Sequence, residues 1–265
     1  AEHVGKPMGL LTHPNYWGSW MALGLPVLWA LAGAPAAALV FLLIVKTISG
    51  GPVIAAAVGG LVMAWPLVGR RSRIAVAALG GTAIALVMTL HEWRLSGRRE
   101  VWGKALEEMQ KWPLTGQGLG EWRSWAEQYN AGHYDPTKNQ NFFITLQAHN
   151  EPLQLAFELG LVGLVLGLCW VLQAAQASRV VWRAAPAAVL PLPAWPKAWS
   201  AALRWLAVGR APLERAWVAV LAVALVNGLG SPVFHLPAQA ALILFALARV
   251  QADAAALGAG PTPSA

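Results

Sequence analysis

The sequence predicts an all-α, polytopic membrane protein with about seven transmembrane helices and one long, partly helical loop outside the membrane. Three observations predict this class. Of the 265 residues, 57% are hydrophobic and only 12% are charged, whereas soluble domains carry about 25% charged residues. The hydrophobic residues gather in uncharged runs of about the length that crosses a bilayer. Basic residues cluster in short joints between these runs, and most acidic residues lie in one long segment.

Seven apolar runs are predicted to span the membrane. Several are rich in Ala, Gly and Pro, which membrane helices tolerate because neighbouring helices satisfy the backbone and small residues allow close approach. The second run is short, so a re-entrant or tilted segment is also compatible with it. The predicted spans are residues 16–33, 35–49, 52–69, 74–90, 160–178, 215–231 and 236–250.

The distribution of charge predicts the orientation of these spans. Basic residues cluster at 70–73 and through 179–214, while nine of the twelve acidic residues lie between Glu92 and Glu158. The positive-inside rule places the basic joints in the cytoplasm, so segment 91–159 lies on the opposite, exterior face. The net charge of +7 is then a topology signal that also suits contact with anionic membrane lipids. No basic stripe with an aromatic stacking platform accompanies it, which argues against nucleic-acid binding.

These patterns divide the chain into four parts. Residues 1–90 hold four spans, 91–159 form a long exterior loop in which a functional site is expected, and 160–250 hold three spans with a basic cytoplasmic loop at 179–214. Residues 251–265 are low in complexity and are predicted to be a disordered tail. Because the chain opens in polar sequence without Met, we expect it to be a processed or truncated piece of a longer protein.

The cysteine and metal-ligand content of the sequence predicts neither a metal nor a cofactor. Cys169 is the single cysteine and lies within an apolar run, whereas a thiol nucleophile needs an electropositive, accessible setting. We therefore expect Cys169 to be a small buried hydrophobic residue. No zinc-ligand spacing is present.

The first part of the exterior segment, Gly97 to Lys111, is predicted to be a helix that ends before Pro113. Arg98 lies one turn before Trp102 on the same side, facing protein or lipid head groups, and Arg99 points about 100° away. Favourable i,i+4 ion pairs are predicted for Glu100–Lys104 and Glu107–Lys111. The predicted apolar stripe consists of Trp102, Ala105, Leu106 and Met109.

A glycine-rich turn follows, with the sequence Gly116-Gln117-Gly118-Leu119-Gly120. Glycine permits positive φ and close approach of the backbone to a ligand. Two interpretations stay open, a plain tight turn and a turn that also lines the site. A dinucleotide fingerprint is excluded because no strand precedes it. The stretch from Glu121 to Phe143 is polar and aromatic, compatible with short interfacial helices or with sugar stacking.

The exterior segment ends at His149 and Asn150, where a helix is predicted to begin and run on into the membrane. Asn150 is a favourable N-cap, and a helix N-terminus attracts anions, phosphate above all. The imidazole of His149, with a reference pKa of about 6.5, suits proton transfer. On this pattern alone, a hydrogen-bonded structural His is an equally good interpretation. Glu158 lies eight residues inside, about 12 Å along the axis, and is expected to be the structural partner of an Arg in the bundle interior.

The pattern His149-Asn150, nine residues, Gly160, two residues, Gly163 resembles the loop motif of the bacterial O-antigen ligase family. This family includes related polysaccharide polymerases and protein O-oligosaccharyltransferases. The resemblance covers nearly the whole chain, but members usually have several more N-terminal membrane helices. The upstream residues that share it are Gly97-Arg98, Trp102, Ala105, Leu106, Pro113-Leu114, Gly116, Gly118 and Gly120; weaker agreement lies at Gly9, Pro14-Asn15, Ser231-Pro232 and Pro237.

One segment departs from the family pattern. Members often carry Ser-Arg-Gly after the second helix seen here, and this chain has Ser49-Gly50-Gly51-Pro52, with Lys46 as the nearest cation. If that Arg holds phosphate, Lys46 is its substitute, although Lys lacks the bidentate fork of Arg.

The resemblance implies a metal-independent glycosyltransferase of the bacterial inner membrane, acting in lipopolysaccharide or related polysaccharide biosynthesis. It would move a glycan from undecaprenyl pyrophosphate to a hydroxyl of lipid A core, protein or growing glycan, and direct displacement would invert the anomeric centre. The implied general base is His149. The implied pyrophosphate contacts are Arg98, Arg99, Asn150 and Lys46, and the implied supporting residues are Glu158, Gly118, Gly160 and Gly163.

Two alternatives stay open at the level of the sequence. A polymerase of the same family would use another carrier-linked repeat as its acceptor. A non-enzymatic membrane transporter would place its site near the bilayer midplane on broken helices, for which Gly50-Gly51-Pro52 and the stretch from Asn227 to Pro232 are the candidate breaks.

Overall fold

The described part of the protein is entirely helical, in agreement with the predicted class. It contains eight α-helices and one short 3-10 turn. The computed structural model describes residues 14–47, 50–67, 78, 81–82, 95–133, 147–184, 212–229 and 237–258. The helices are α1 (Pro14–Ala32), α2 (Ala34–Lys46), α3 (Gly50–Ala64, followed by the 3-10 turn Trp65–Leu67), α4 (Leu95–Met109), α5 (Glu121–His133), α6 (Glu151–Ala184), α7 (Leu213–Gly228) and α8 (Pro237–Gly258).

The core of the molecule is a bundle in which α1 and α7 lie at the centre. Helix α1 packs on α2, α3 and α7, while α7 also packs on α3, α6 and α8. Small residues let these helices approach closely. At Gly59 of α3, an added β-carbon would lie 2.5 Å from Cγ2 of Val223 on α7. The largest fully buried apolar side chains of this core are Leu23, Ile44, Val181, Val220, Val223 and Ile243.

Two of the described helices, α6 and α8, are long and apolar enough to cross a membrane. Only 28% of the most apolar stretch of α6 and 22% of that of α8 is buried. Both helices therefore present a broad apolar surface, which suits lipid contact better than the core of a soluble domain. Helices α2 and α3 are apolar but shorter. The membrane class is thus supported, whereas a count of seven spans is not established, and most of the predicted span 74–90 lies outside the described residues.

The structure corrects the predicted tail and the predicted cysteine environment. Helix α8 continues to Gly258, so residues 251–258 of the predicted disordered tail are helical. Alanine favours helix there, and an ion pair of 2.8 Å joins Arg249 to Asp253 one turn apart. Cys169, expected to be buried, is exposed, because it lies on the side of α6 that faces away from the bundle.

Helix α4 begins and ends two residues earlier than predicted. It spans Leu95–Met109 instead of Gly97–Lys111. Lys104 pairs with Glu107 at 2.9 Å, and Lys111 pairs with Glu108 at 2.8 Å instead of with the predicted Glu107, since residues three apart are also neighbours on a helix. The side chain of Glu100 lies outside the described residues, so the Glu100–Lys104 pair stays a prediction. The predicted apolar stripe is only partly buried, since Leu106 is 53% exposed. Val101, which was not predicted to belong to the stripe, is buried.

Candidate functional site

Helix α6 is broken at Gly160, which has φ 60° and ψ −153°. In a straight helix, Leu155 and Gly167 would stand about 18 Å apart. Here a β-carbon added to Gly167 would lie 2.8 Å from Cδ2 of Leu155. The first arm of α6 (residues 151–159) therefore folds back alongside the second arm (residues 161–184). This corrects the predicted continuous helix from Asn150 into the membrane.

The two glycines of the His-Asn-Gly-Gly pattern both serve this reversal. The φ and ψ of Gly160 lie in a region that essentially only glycine adopts, and a β-carbon there would stand 2.5 Å from the carbonyl of Leu114. Gly163 faces the first arm, where a β-carbon would collide with Leu159. The spacing of Gly160 and Gly163 thus follows from one residue that turns the chain and a second that leaves room for the returning arm.

The glycine-rich turn at 116–120 caps the end of the first arm. Helix ends leave carbonyl groups without an intrahelical partner. The backbone N–H of Gln117 donates to the carbonyl of Phe157 at 2.9 Å, and that of Gly118 donates to the carbonyl of Glu158 at 2.9 Å. Gly116, Gly118 and Gly120 all have positive φ, as the turn requires.

The residues just before that turn cap the start of the second arm. The N–H groups of Leu161 and Val162 have no intrahelical acceptor, because the helix is interrupted immediately before them. Leu161 donates to the carbonyl of Pro113 at 2.9 Å, and Val162 donates to the carbonyl of Leu114 at 3.2 Å. Segment 113–118 therefore provides hydrogen-bond partners for the free backbone groups at both ends of the break. The glycine-rich turn thus has a structural role, and a further role in lining the site stays a prediction.

His149 has φ 52° and is half-buried. Positive φ is uncommon outside glycine, although His is among the residues that tolerate it best. The residue before it is held from two sides: the indole N–H of Trp102 donates to the carbonyl of Ala148 at 2.9 Å, and the N–H of Ala148 donates to Oε1 of Gln154 at 3.0 Å. The backbone strain at His149 is thereby maintained by bonds to two different helices.

The residue after His149 is the predicted N-cap. Oδ1 of Asn150 accepts the N–H of Leu153 at 2.9 Å, and its Nδ2 donates to the carbonyl of Leu229 at 3.4 Å. The cap confirms the predicted start of the helix. The cap also occupies the backbone N–H of Leu153, and Pro152 has no backbone N–H. The first turn consequently has fewer N–H groups for an anion than the sequence suggested, so phosphate binding there would rest mainly on side-chain cations.

Glu158 is 7% exposed and accepts a hydrogen bond of 3.0 Å from Nε2 of Gln154. Gln154 is itself buried and uses its oxygen for Ala148. A chain of hydrogen bonds thus runs from the carboxylate of Glu158 to the backbone beside His149. The expected partner of Glu158 was an Arg. In the described part of the chain its carboxylate is instead paired with the amide of Gln154, because residues four apart are neighbours on a helix.

Helices α4 and α5 cover the first arm through an aromatic cluster. The ring of Phe157 lies 5.1 Å from that of Trp122 and 5.1 Å from that of Trp125. Ala105 of α4 is fully buried in the same cluster. Arg98 and Arg99 belong to α4, and Arg98 precedes Trp102 by one turn, about 6 Å along the axis. The side chains of Arg98 and Arg99 lie outside the described residues.

Hydrogen bonds bring the His149 loop to one end of the bundle, which we name the outer end. The hydroxyl of Tyr16 donates to Oε1 of Gln147 at 3.4 Å, and Nε2 of Gln239 donates to the carbonyl of Tyr16 at 3.1 Å. Together with the bond from Asn150 to Leu229, these contacts join the starts of α1, α6 and α8 to the end of α7. The same helix ends are those that the alternating spans assign to one side of the membrane.

Lys46 also lies at the outer end. It is exposed at the end of α2, next to Thr47, whose hydroxyl oxygen would be 3.1 Å from a β-carbon on Gly18. Gly18 follows Tyr16 by two residues, so the end of α2 stands beside the start of α1. Lys46, at the end of α2, and His149, in the loop before α6, therefore lie at the same end of the molecule.

The predicted site residues thus fall into four groups. His149 and Asn150 lie at the start of the first arm and Glu158 near its end. Gly118, Gly160 and Gly163 are part of the scaffold, and Lys46 lies on a neighbouring helix. The side chains of Arg98 and Arg99 lie outside the described residues. Sequence reasoning missed Gln154, although it lies four residues from both Asn150 and Glu158, a spacing that marks one polar helix face. Within the described residues, no three His, Cys, Asp or Glu side chains gather as metal ligands would.

Comparison with known proteins assigns the chain to a family. The family model described as O-antigen ligase matches residues 15–168, more than half of the chain. The matched region runs from the start of α1 through the glycine-rich turn, the His149 loop and the break at Gly160. No curated protein matches the chain. The chain belongs to the O-antigen ligase family, a family of bacterial membrane enzymes of the ligase and polymerase type.

Proposed function

We propose that this protein transfers a glycan from undecaprenyl pyrophosphate to an acceptor hydroxyl on the periplasmic side of the inner membrane, with His149 as general base. The observation that carries the proposal is the fixed, strained backbone of His149. Strained residues cluster at functional sites, where the surrounding structure maintains them. Here Trp102, Gln154 and the cap at Asn150 maintain the strain through bonds to the residues on either side of His149.

The donor pyrophosphate would be bound by cations at the outer end. Arg98 and Arg99 stand on α4, which the bond from Trp102 to Ala148 holds against the His149 loop. Guanidinium groups bind phosphate through paired hydrogen bonds, and Lys46 adds a point charge from α2. Asn150 contributes through the first turn of α6. Stabilising the charge of a leaving group in this way is often the largest single contribution to catalysis.

The reaction would proceed as a direct displacement. The imidazole of His149 takes the proton of the acceptor hydroxyl while that oxygen bonds to the anomeric carbon of the donor glycan. The bond between the anomeric carbon and the phosphate oxygen breaks at the same time, and undecaprenyl pyrophosphate leaves with the electron pair. The anomeric centre is inverted, and the step needs no metal ion.

The first prediction separates the imidazole from the backbone that carries it. His149→Asn removes the titratable ring but keeps a residue that tolerates positive φ. We expect the variant to insert and unfold as the wild type does, and to lose transfer by about 10²- to 10⁴-fold, the usual contribution of a general base. The measurement is glycan transfer by purified protein from a radiolabelled carrier-linked donor.

His149→Ala is the companion variant, since it removes the ring without suiting positive φ. A larger loss of stability in His149→Ala than in His149→Asn, with equal loss of transfer, would confirm the separation. Undiminished transfer by His149→Asn would remove His149 from catalysis.

A polymerase of the same family is the second candidate, and the family match supports both activities equally. The acceptor distinguishes them: a ligase uses lipid A core or a protein, and a polymerase uses a second carrier-linked repeat. Offering both acceptors in one assay and separating the products by size would assign the activity. Membership of an enzyme family favours either activity over the transporter alternative.

A further inference from the structure

A cavity lies between the end of α3, the second arm of α6 and the start of α7. Its volume is about 440 Å³, within the range of about 300–1,000 Å³ usual for pockets that bind small molecules. The walls are almost wholly apolar, and the lining residues that carry polar groups are Trp65, Ser178, Arg179 and Trp182. Its lining includes Leu61, Trp65, Ser178, Arg179, Trp182 and Val218.

This cavity is at the opposite end of the bundle from His149. Val218 precedes Leu229 by eleven residues, which is about 16 Å along α7, and Leu229 is the residue that Asn150 contacts. Arg179 follows the break at Gly160 by nineteen residues, about 28 Å along the second arm. The cavity is therefore separate from the proposed glycan site, and we name its end of the bundle the inner end.

The inner end carries positive charge. Arg179 lines the cavity and Arg183 is exposed one turn further along α6. The guanidinium of Arg215 stands 5.2 Å from the ring centre of Trp182, a cation–π distance. In the described part of the start of α7 and the end of α6, the acidic residue is Glu214, so three cations face one carboxylate. By the positive-inside rule this end faces the cytoplasm.

We propose that the cavity binds an anionic phospholipid of the cytoplasmic leaflet, with an acyl chain along Leu61 and Val218 and the phosphate at Arg179. Basic pockets between membrane helices on the cytoplasmic side suit anionic head groups. Trp65 and Trp182 suit the interface between acyl chains and head groups. The cavity opens to the side, where Ala175 and Arg179 are exposed, so a chain enters from the bilayer. A soluble anion would not use the apolar walls. The proposal is independent of glycan transfer.

Retention of lipid by the purified full chain tests the proposal. The protein is placed in nanodiscs that contain equal amounts of phosphatidylglycerol and phosphatidylcholine and is then extracted with mild detergent. Native mass spectrometry identifies and counts the lipids that remain bound. We expect retained phosphatidylglycerol to exceed phosphatidylcholine. Arg179→Gln should lower that preference about fivefold, the effect of one basic residue near a membrane surface. The matched control is Arg249→Gln, an exposed Arg of α8 that does not line the cavity; it should leave the preference unchanged.

Filling the cavity provides the second arm of the test. Ala175→Trp adds bulk at the exposed edge of the cavity, so the fold should tolerate it, and Gln176→Trp places the same ring on the adjacent exposed position, which does not line the cavity. We expect Ala175→Trp to abolish retention of both lipids and Gln176→Trp to retain them. Three outcomes would each overturn the proposal. They are equal retention of the two lipids by the wild type, equal effects of Arg179→Gln and Arg249→Gln, and unchanged retention in Ala175→Trp. A cavity filled by another segment of this chain would show as no retained lipid, and would also overturn it.

Discussion

At the scale of single residues, the positioning of His149 depends on one buried amide. Gln154 donates to Glu158 and accepts from Ala148, so its side chain links a carboxylate to the backbone beside the imidazole. Both hydrogen bonds are buried, and a buried polar group left without a partner costs about 1–3 kcal/mol. The chain of contacts therefore affects both the stability of the loop and the orientation of His149.

The second prediction compares two variants along this chain. Gln154→Leu leaves the N–H of Ala148 and the carboxylate of Glu158 unpaired, so we expect a loss of about 1–3 kcal/mol in the free energy of unfolding and about tenfold weaker transfer. Glu158→Gln keeps an oxygen that accepts from Gln154, so we expect both quantities to stay near the wild-type values. Thermal unfolding followed by tryptophan fluorescence and the transfer assay measure the two effects. A Glu158→Gln variant that folds normally but does not transfer would show that the carboxylate itself takes part in the reaction.

The sequence predicted the cap and the titratable residue but not the amide that positions it. Asn150 before a helix and His149 beside it are local signals, since each acts on its immediate neighbours. Gln154 is different, because a Gln on a helix has many potential partners and its two bonds depend on how the preceding loop returns to the arm. The predicted partner of Glu158 differs for the same reason. An inward-facing carboxylate suggested an Arg as its partner, whereas in the described part of the chain the partner is the amide of Gln154, one turn away.

At the scale of elements, the break in α6 organises the site. The first arm carries His149 at its start and meets the glycine-rich turn at its end, and the second arm returns to the bundle. The sequence did not predict the break, because the apolar pattern continues across Gly160 and membrane helices tolerate glycine. The break depends on the backbone hydrogen bonds that Leu161 and Val162 donate, and these join segments nearly fifty residues apart in the chain.

The third prediction concerns that break. Gly160→Ala forces a side chain into a conformation reserved for glycine and against the carbonyl of Leu114. We expect a loss of about 3 kcal/mol or more, together with loss of transfer. Gly103→Ala is the matched control, because Gly103 is inside helix α4 with open space around its α-carbon; it should stabilise the protein by about 1 kcal/mol. Thermal unfolding of both variants checks the pair, and a tolerated Gly160→Ala would mean that α6 is not reversed there.

The fourth prediction concerns the contact between α4 and the His149 loop. Trp102→Phe keeps an aromatic ring but removes the N–H that donates to Ala148, at a cost of about 1 kcal/mol. We expect a marked loss of glycan transfer with only this small loss in the free energy of unfolding, since α4 also carries Arg98 and Arg99. Trp125→Phe is the control: Trp125 packs on Phe157 through its ring, and Phe preserves that contact. Equal effects of the two variants on transfer would argue that α4 does not need this bond to reach the site.

At the scale of the whole molecule, the apolar runs predicted the path of the chain better than the details of each helix. Runs 16–33 and 215–231 coincide closely with α1 and α7, and run 236–250 begins with α8 but ends eight residues before it. The helix ends that should share one side of a membrane are joined by hydrogen bonds at the outer end. Hydropathy succeeds here because a helix in lipid must satisfy its backbone internally. It could not indicate the return of the first arm, since that depends on contacts with α4, α5 and the glycine-rich turn.

The fifth prediction tests which side of the membrane the outer end faces. Cys169 is first replaced by Ser, and single cysteines are then introduced by Leu119→Cys in the glycine-rich turn, where Leu119 is 79% exposed, and by Ala184→Cys at the end of α6. We expect a membrane-impermeant maleimide to label Leu119→Cys in intact spheroplasts and Ala184→Cys only after permeabilisation, because α6 crosses the bilayer between them. Native Cys169 is exposed on the second arm, which is long and apolar enough to cross the membrane, so we expect lipid to shield it from the reagent in both preparations. The opposite labelling pattern would place His149 in the cytoplasm, where the proposed periplasmic transfer has no acceptor.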